Sequence, residues 1–184
     1  MKEIEDHKQM LEHFPIDDLK KVADTMTDAV KKGNTIFFMG CGGSAGDAQH
    51  LAAELIGSFK IKDRKPIPAI ALTTDTSILT AVGNDFGFDK IFERQVEGLV
   101  KSGDIVVGIS TSGNSVAILN AIKKAKEKKA ITIGFAGRTG GEMNEECHLI
   151  LKMPADDGAR IQEGHILSGH ILCGLIESNM VLNK

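Results

Sequence analysis

TIFFMGCGGSAGDAQH, residues 35–50, is the stretch whose reading decides the fold. Thr35–Met39 is a short, nearly continuous apolar run without alternation, the pattern of a strand buried on both faces of a parallel sheet. It runs directly into GCGGSAGD, residues 40–47, and then into a segment of helical character over 45–59. Strand, glycine-rich turn and helix in immediate succession form the first half of a βαβ unit.

Working outward, residues 16–32 place Ile16, Leu19, Val22, Ala23, Met26, Ala29 and Val30 at helical spacing, and Gly33 stops the helix. Before Pro15 a first helix carries Ile4, His7, Met10, Leu11 and Phe14. That helix suits either an oligomer contact or the domain's own core. Downstream, strands are expected at 68–72, Asp104–Ile109 and Ile131–Phe135, with a fifth at His148–Met153. Helices are expected over 88–101, 115–128 and 160–182. Strands alternating with helices imply right-handed crossovers and a doubly wound, mostly parallel five-stranded α/β sheet. No linker or repeat divides the chain, so residues 1–184 read as one domain, with 1–32 as an N-terminal helical region.

The bulk properties narrow the function. An apolar fraction of 42% and a charged fraction of 26% are those of a globular protein. A net charge of −3 gives no electrostatic case for nucleic acid, and the absence of Trp and Tyr removes the usual stacking platforms. No apolar run approaches the roughly 18 residues of a membrane span. The N-terminus, MKEIEDHKQMLEHF, lacks the apolar core of a secretory signal. Cys41, Cys147 and Cys173 are odd in number and scattered, which suits reduced thiols in a cytoplasm.

Ligands of open parallel sheets bind beyond the carboxyl ends of the strands. Two turns at that edge stand out. In GCGGSAGD the glycines let backbone N–H groups approach an anion, and Ser44 adds a hydroxyl at a helix N-terminus. STSGNS, residues 110–115, puts Ser110, Thr111, Ser112 and Ser115 at the start of another helix. One such residue suffices as an N-cap; four hydroxyls favour a phosphate cradle. Residues 40–45 also satisfy a loose G-x-G-x-x-A dinucleotide fingerprint. Asp75, however, lies 35 residues after Gly40, where that fingerprint expects an acid at about 20.

His50 and Glu54 share one helix face at i and i+4, either as a surface pair or as metal ligands. In the last helix, RIQEGHILSGH offers Gln162, Glu163, His165 and His170 as a polar stripe among apolar residues, or as groups simply facing water. GNDFGF, residues 83–88, reads as a loop in which Asn84 and Asp85 can reach sugar hydroxyls, or as a plain turn. His7, His13 and His148 read as surface or packing residues, and KKAKEKK, residues 123–129, as a solvated helix end.

GGSAGDAQHLAAEL, ALTTDTSILTAVGNDFGF, GISTSGNS and RIQEGHILSGHIL, in this order, resemble the signature segments of the phosphoheptose isomerases, a family of SIS (sugar isomerase) domain proteins. The resemblance runs from about residue 33 to the C-terminus. It implies a flavodoxin-like SIS fold, a homotetramer and conversion of sedoheptulose 7-phosphate into D-glycero-D-manno-heptose 7-phosphate for bacterial heptose biosynthesis. It implies phosphate capture by Ser110, Thr111, Ser112 and Ser115 with Gly42, Gly43 and Ser44, and sugar contacts at Asn84 and Asp85. It further implies Glu54 and His170 as the catalytic pair, and His50, Glu54, Gln162 and His170 as ligands of one zinc ion per subunit. Where the family usually has Asn, this chain has Cys41, at a position matched to a substrate contact. Some SIS proteins only bind partners, including a tetrameric relative that binds the replication initiator; Glu54, Gln162 and His170 together favour the enzyme. Gln162 and His170 lie about 12 Å and about 80° apart on one helix. The expectation is therefore that a neighbouring chain completes each site, with Glu54 and His170 drawn from different chains.

Overall fold

The computed structural model describes residues 1–182. Helices α1 (Lys2–Glu12) and α2 (Ile16–Lys31) precede β1 (Ile36–Gly40), α3 (Gly43–Ile56) and β2 (Ala69–Ala71). Then follow α4 (Thr76–Phe86), a 3₁₀ turn at Phe88–Lys90, α5 (Glu93–Leu99) and β3 (Ile105–Ile109). The chain continues through α6 (Val116–Glu127), β4 (Ile131–Ala136), the short α7 (Met143–Glu146), β5 (Leu149–Lys152) and α8 (Gly158–Leu182). All strand pairs are parallel, in the order β2-β1-β3-β4-β5. This is the five-stranded doubly wound sheet expected, in the flavodoxin-like order.

Every residue of β1 and β3 is buried, which explains why neither alternates. The sheet separates two cores. On one face Phe38, Val107 and Phe135 pack under α2, α3 and α8 through Met26, Leu51, Leu55, Leu172 and Ile176. On the other Phe37, Met39 and Val106 pack under α5 and α6 through Val96, Ile118 and Ile122. Helix α1 lies on α8 and closes the first core with the buried Met10, while Ile4 and Leu11 stay exposed. Among the described residues no helix is long and apolar enough to cross a membrane.

The region 75–99 departs from expectation. Asp75 caps a helix at 76–86, accepting the Ile78 N–H at 2.9 Å, so Asn84 and Asp85 stand on a helix and not in a loop. The single helix expected over 88–101 is a 3₁₀ turn followed by a two-turn helix. Asp75 as an N-cap also leaves the dinucleotide reading without its acid.

His165 on α8 is fully buried; its Nε2 donates to the Ala136 carbonyl at 3.1 Å, and Nδ1 is buried without a partner. Burial pushes this imidazole down from 6.5 to about 4. Above pH 6.5 it is neutral in both states. As pH falls from 6.5 towards 4 the unfolded chain takes up a proton that the folded chain refuses, so stability drops. The full loss is about 3 kcal/mol. Urea midpoints should fall between pH 7 and pH 4.5 more steeply for the parent than for His165→Gln. Equal slopes would remove His165 as the cause.

Candidate active site

β1 and β3 are neighbours, yet α3 leaves β1 onto one face of the sheet and α6 leaves β3 onto the other. Such diverging connections open a crevice at the strand ends. The two turns singled out in the sequence line it, and Cys41 Sγ stands 3.9 Å from Ser115 Oγ across it. Gly42, at φ 59°, is the N-cap of α3, a backbone shape that costs a side-chain-bearing residue. Ser115 is the N-cap of α6. Neither helix has a side-chain cap, unlike α4 with Asp75 and the start of α8, where Asp157 Oδ1 accepts from Ala159 and Arg160. Two helix N-termini with uncapped N–H groups at one crevice make a site for an anion.

The hydroxyls shape this cradle. Ser110, buried, accepts the Gly113 N–H at 3.2 Å and lies 3.4 Å from Ser112 Oγ. Ser112, exposed, accepts the Asn114 N–H at 3.1 Å. Thr111 is partly exposed beside them, and its carbonyl accepts the Gly137 N–H at 3.0 Å, tying the loop to the end of β4. Losing one hydrogen bond to a charged group costs about 1.5–3 kcal/mol. Ser112→Ala should therefore raise the Kd for a sugar phosphate about tenfold or more by calorimetry, with the melting temperature little changed. Unchanged affinity would place the anion elsewhere.

A second polar group lies further along α3. His50 Nε2 is 2.8 Å from His170 Nε2 of α8 and 3.4 Å from Glu54 Oε1. The two imidazoles meet edge to face, with centroids 5.0 Å apart, and Phe59 stacks on His170. The i, i+4 pair is thus part of a three-residue cluster built by two helices of one chain. Within one chain His50 touches both Glu54 and His170, whereas the expectation drew those two residues from different chains. One turn before His50, Asp47 keeps Oδ2 buried without a partner; burial raises its carboxyl, partly offset by His50. Its i, i+3 spacing to His50 was the available signal and carried no motif.

Gln162 is elsewhere. A side chain at Gly43 would collide with the Gln162 amide, so the glycine admits Gln162 to the phosphate turn. From Gly43 to His50 is seven residues of α3, about 10 Å, and to Glu54 about 16 Å. Within one chain, Gln162 and the cradle therefore sit at one end of the α3–α8 pair and the His50, Glu54 and His170 cluster further along it.

The other residues of the polar stripe part company. Glu163 bonds Arg160 and, at 2.7 Å, His7 of α1. His165 lies in the core. Asn84 and Asp85 are exposed and bonded to each other at 2.8 Å. His148 bonds Thr132 Oγ1 at 2.7 Å, a packing role. Burial pushes the thiols of Cys147 and Cys173 up to about 12, so neither offers a thiolate near neutral pH.

As for a metal, no group of three or more His, Cys, Asp or Glu among the described residues forms a ready-made site. The facing nitrogens at 2.8 Å are closer than the roughly 3.3 Å between two ligands of a tetrahedral zinc with bonds of about 2.0–2.1 Å. Two imidazoles and a carboxylate in one cluster are nevertheless zinc donors by type, and parting the two rings by about half an ångström would give their nitrogens tetrahedral spacing.

A parallel sheet with a hydroxyl-lined cradle at its switch point defines an anion-binding α/β domain. The SIS domain family matches residues 2–137. The chain is 55% identical over 156 residues to a phosphoheptose isomerase of Aquifex aeolicus, covering 85% of this chain and 81% of that one. It is 51% identical over 162 residues to that of Aliarcobacter butzleri, covering 88% and 85%. Its fold resembles the phosphoheptose isomerase structure from Neisseria gonorrhoeae, with a TM-score of 0.87 at 42% identity over 94% of this chain and 91% of that one. A Francisella tularensis structure gives 0.89 at 35% identity over 95% and 92%. The chain belongs to the phosphoheptose isomerase family of SIS-domain proteins, and it is an isomerase.

Proposed function

We propose that this enzyme interconverts sedoheptulose 7-phosphate and D-glycero-D-manno-heptose 7-phosphate, an aldose–ketose isomerisation supplying bacterial heptose. The observation that carries it is the anion cradle between two uncapped helices together with a Glu–His cluster on the same α3. Moving a carbonyl from C2 to C1 requires a base to take a proton from C1 and return it to C2. It also requires stabilisation of the enediolate oxygens formed between the two steps. Glu54 takes and returns the carbon-bound proton. His170, next to it in the cluster, exchanges the proton at oxygen. Ser110, Thr111, Ser112 and Ser115, with the N–H groups of Gly42, Gly43 and Ser44, hold the phosphate. Asn84 and Asp85 contact sugar hydroxyls, and Cys41 lines the crevice beside Ser115. A coupled assay for the aldose phosphate tests this; purified protein that forms none from sedoheptulose 7-phosphate would refute it.

His50, Glu54 and His170, joined by Gln162, would hold one zinc ion per subunit, which supplies Lewis-acid polarisation of carbonyl and hydroxyl when bound. Gln162 of a given chain sits at its own Gly43, and on this reading the fourth ligand comes from a neighbouring subunit of a homotetramer. That subunit brings its phosphate cradle with it. Metal analysis of protein purified without chelator should find about one zinc per chain. Full activity in metal-free protein, unaltered by added zinc, would end a catalytic role for it. Three cysteines, all free among the described residues, support a cytoplasmic setting.

A further inference from the structure

Glu177 lies on α8, seven residues beyond His170, and the chemistry above gives it no part. Its buried carboxylate accepts the backbone N–H groups of Phe59 at 3.1 Å, Lys60 at 2.8 Å and Ile61 at 3.1 Å. It also accepts Arg64 Nε at 2.6 Å. Burial alone would push this carboxyl up; Arg64 and the three N–H groups outweigh it and hold it below the usual range. Arg64 is buried as well, and its other nitrogens donate to the carbonyls of Glu54, at 2.7 Å, and Lys65, at 3.0 Å. One buried ion pair thus grips both the main chain of Glu54 and the segment 59–61.

That segment ends against the cluster. The Phe59 ring stacks on the His170 imidazole with centroids 5.6 Å apart and planes 12° from parallel. His50 approaches the same imidazole edge-on. Phe59 therefore covers a face of the His170 ring, while His50 meets the ring at Nε2. Taking two charges out of water is costly, and an apolar pair of equal volume would stabilise a core at least as well. What the ion pair provides and an apolar pair does not is direction, through six hydrogen bonds of fixed geometry.

We infer that the Glu177–Arg64 pair, acting through Phe59, is a positioning device that fixes the His170 ring and the Glu54 main chain for proton transfer. It rests on the reading of Glu54 and His170 as the proton-transferring pair. Phe59→Leu tests it, because leucine keeps the apolar contact, leaves the ion pair intact and removes the flat stacking face. The expected result is a kcat lowered about 10- to 100-fold by a loosened ring. KM for the sugar phosphate should stay within about twofold, since the cradle is untouched. The melting temperature should stay near that of the parent, and Phe59→Tyr should restore kcat. Phe59→Met, equally apolar and not flat, should repeat the leucine result. Parent-like kcat in Phe59→Leu or Phe59→Met overturns the inference, as does a loss that Phe59→Tyr fails to restore. His170→Ala, run in parallel, separates the two readings. If it is inactive while Phe59→Leu is fully active, only the positioning role falls; if it is active, the assignment of His170 falls first.

Discussion

Glu54→Gln should fold as the parent does and lose turnover by about 10²–10⁴-fold or more, since the amide has the carboxylate's shape and cannot take a proton. The structure favours this substitution as a clean test. The Glu54 side chain pairs with His50 at 3.4 Å, and its helical carbonyl, which Arg64 holds, is unaffected by the change. Stability should therefore barely move while kcat collapses. Binding of the sugar phosphate should persist, because the cradle is built from the turns after β1 and β3 and uses no group of Glu54. A variant keeping a tenth or more of the parent kcat would remove Glu54 from the role of base. A variant that loses affinity in proportion to kcat would make it a binding residue.

Mixed oligomers should divide the site residues into two sets. Glu54→Ala, His170→Ala and Gln162→Ala are each expected to be inactive alone. Refolded together, Glu54→Ala and His170→Ala should stay inactive, because His50 joins both positions in one chain and every cluster in the mixture lacks one of them. Glu54→Ala with Gln162→Ala should recover about a quarter of parent activity, the share of sites that draw an intact cluster from one chain and an intact Gln162 from another at random. Native mass spectrometry establishes the mixing. Recovery in the first pair would mean that the cluster is split between chains; none in the second would mean that each chain supplies Gln162 to its own cluster.

What the sequence determined by itself was local. Unbroken apolar runs at 36–39 and 105–109 are strands because a sheet covered on both faces accepts nothing else, and the turns after them hold glycines and hydroxyls whatever packs nearby. The mostly parallel sheet and the two turns that line the cradle follow from those runs, since each strand with its turn lies within some fifteen residues of chain. Helix α4 escaped this reading because TSILTAVGNDF is short and only half-buries Leu79 and Val82 against the second core; the Asp75 cap marks its start. Tertiary structure alone decided the rest, for most of it joins residues more than a hundred apart. His50 meets His170, Gln162 enters at Gly43, and Glu177 gathers Phe59 and Arg64, all because α3 and α8 pack side by side. The four polar residues of RIQEGHILSGH shared one helical stripe in sequence. Packing sent Gln162 to the cradle, Glu163 to α1, His165 into the core and His170 to the cluster, because each turn of a buried helix meets a different neighbour.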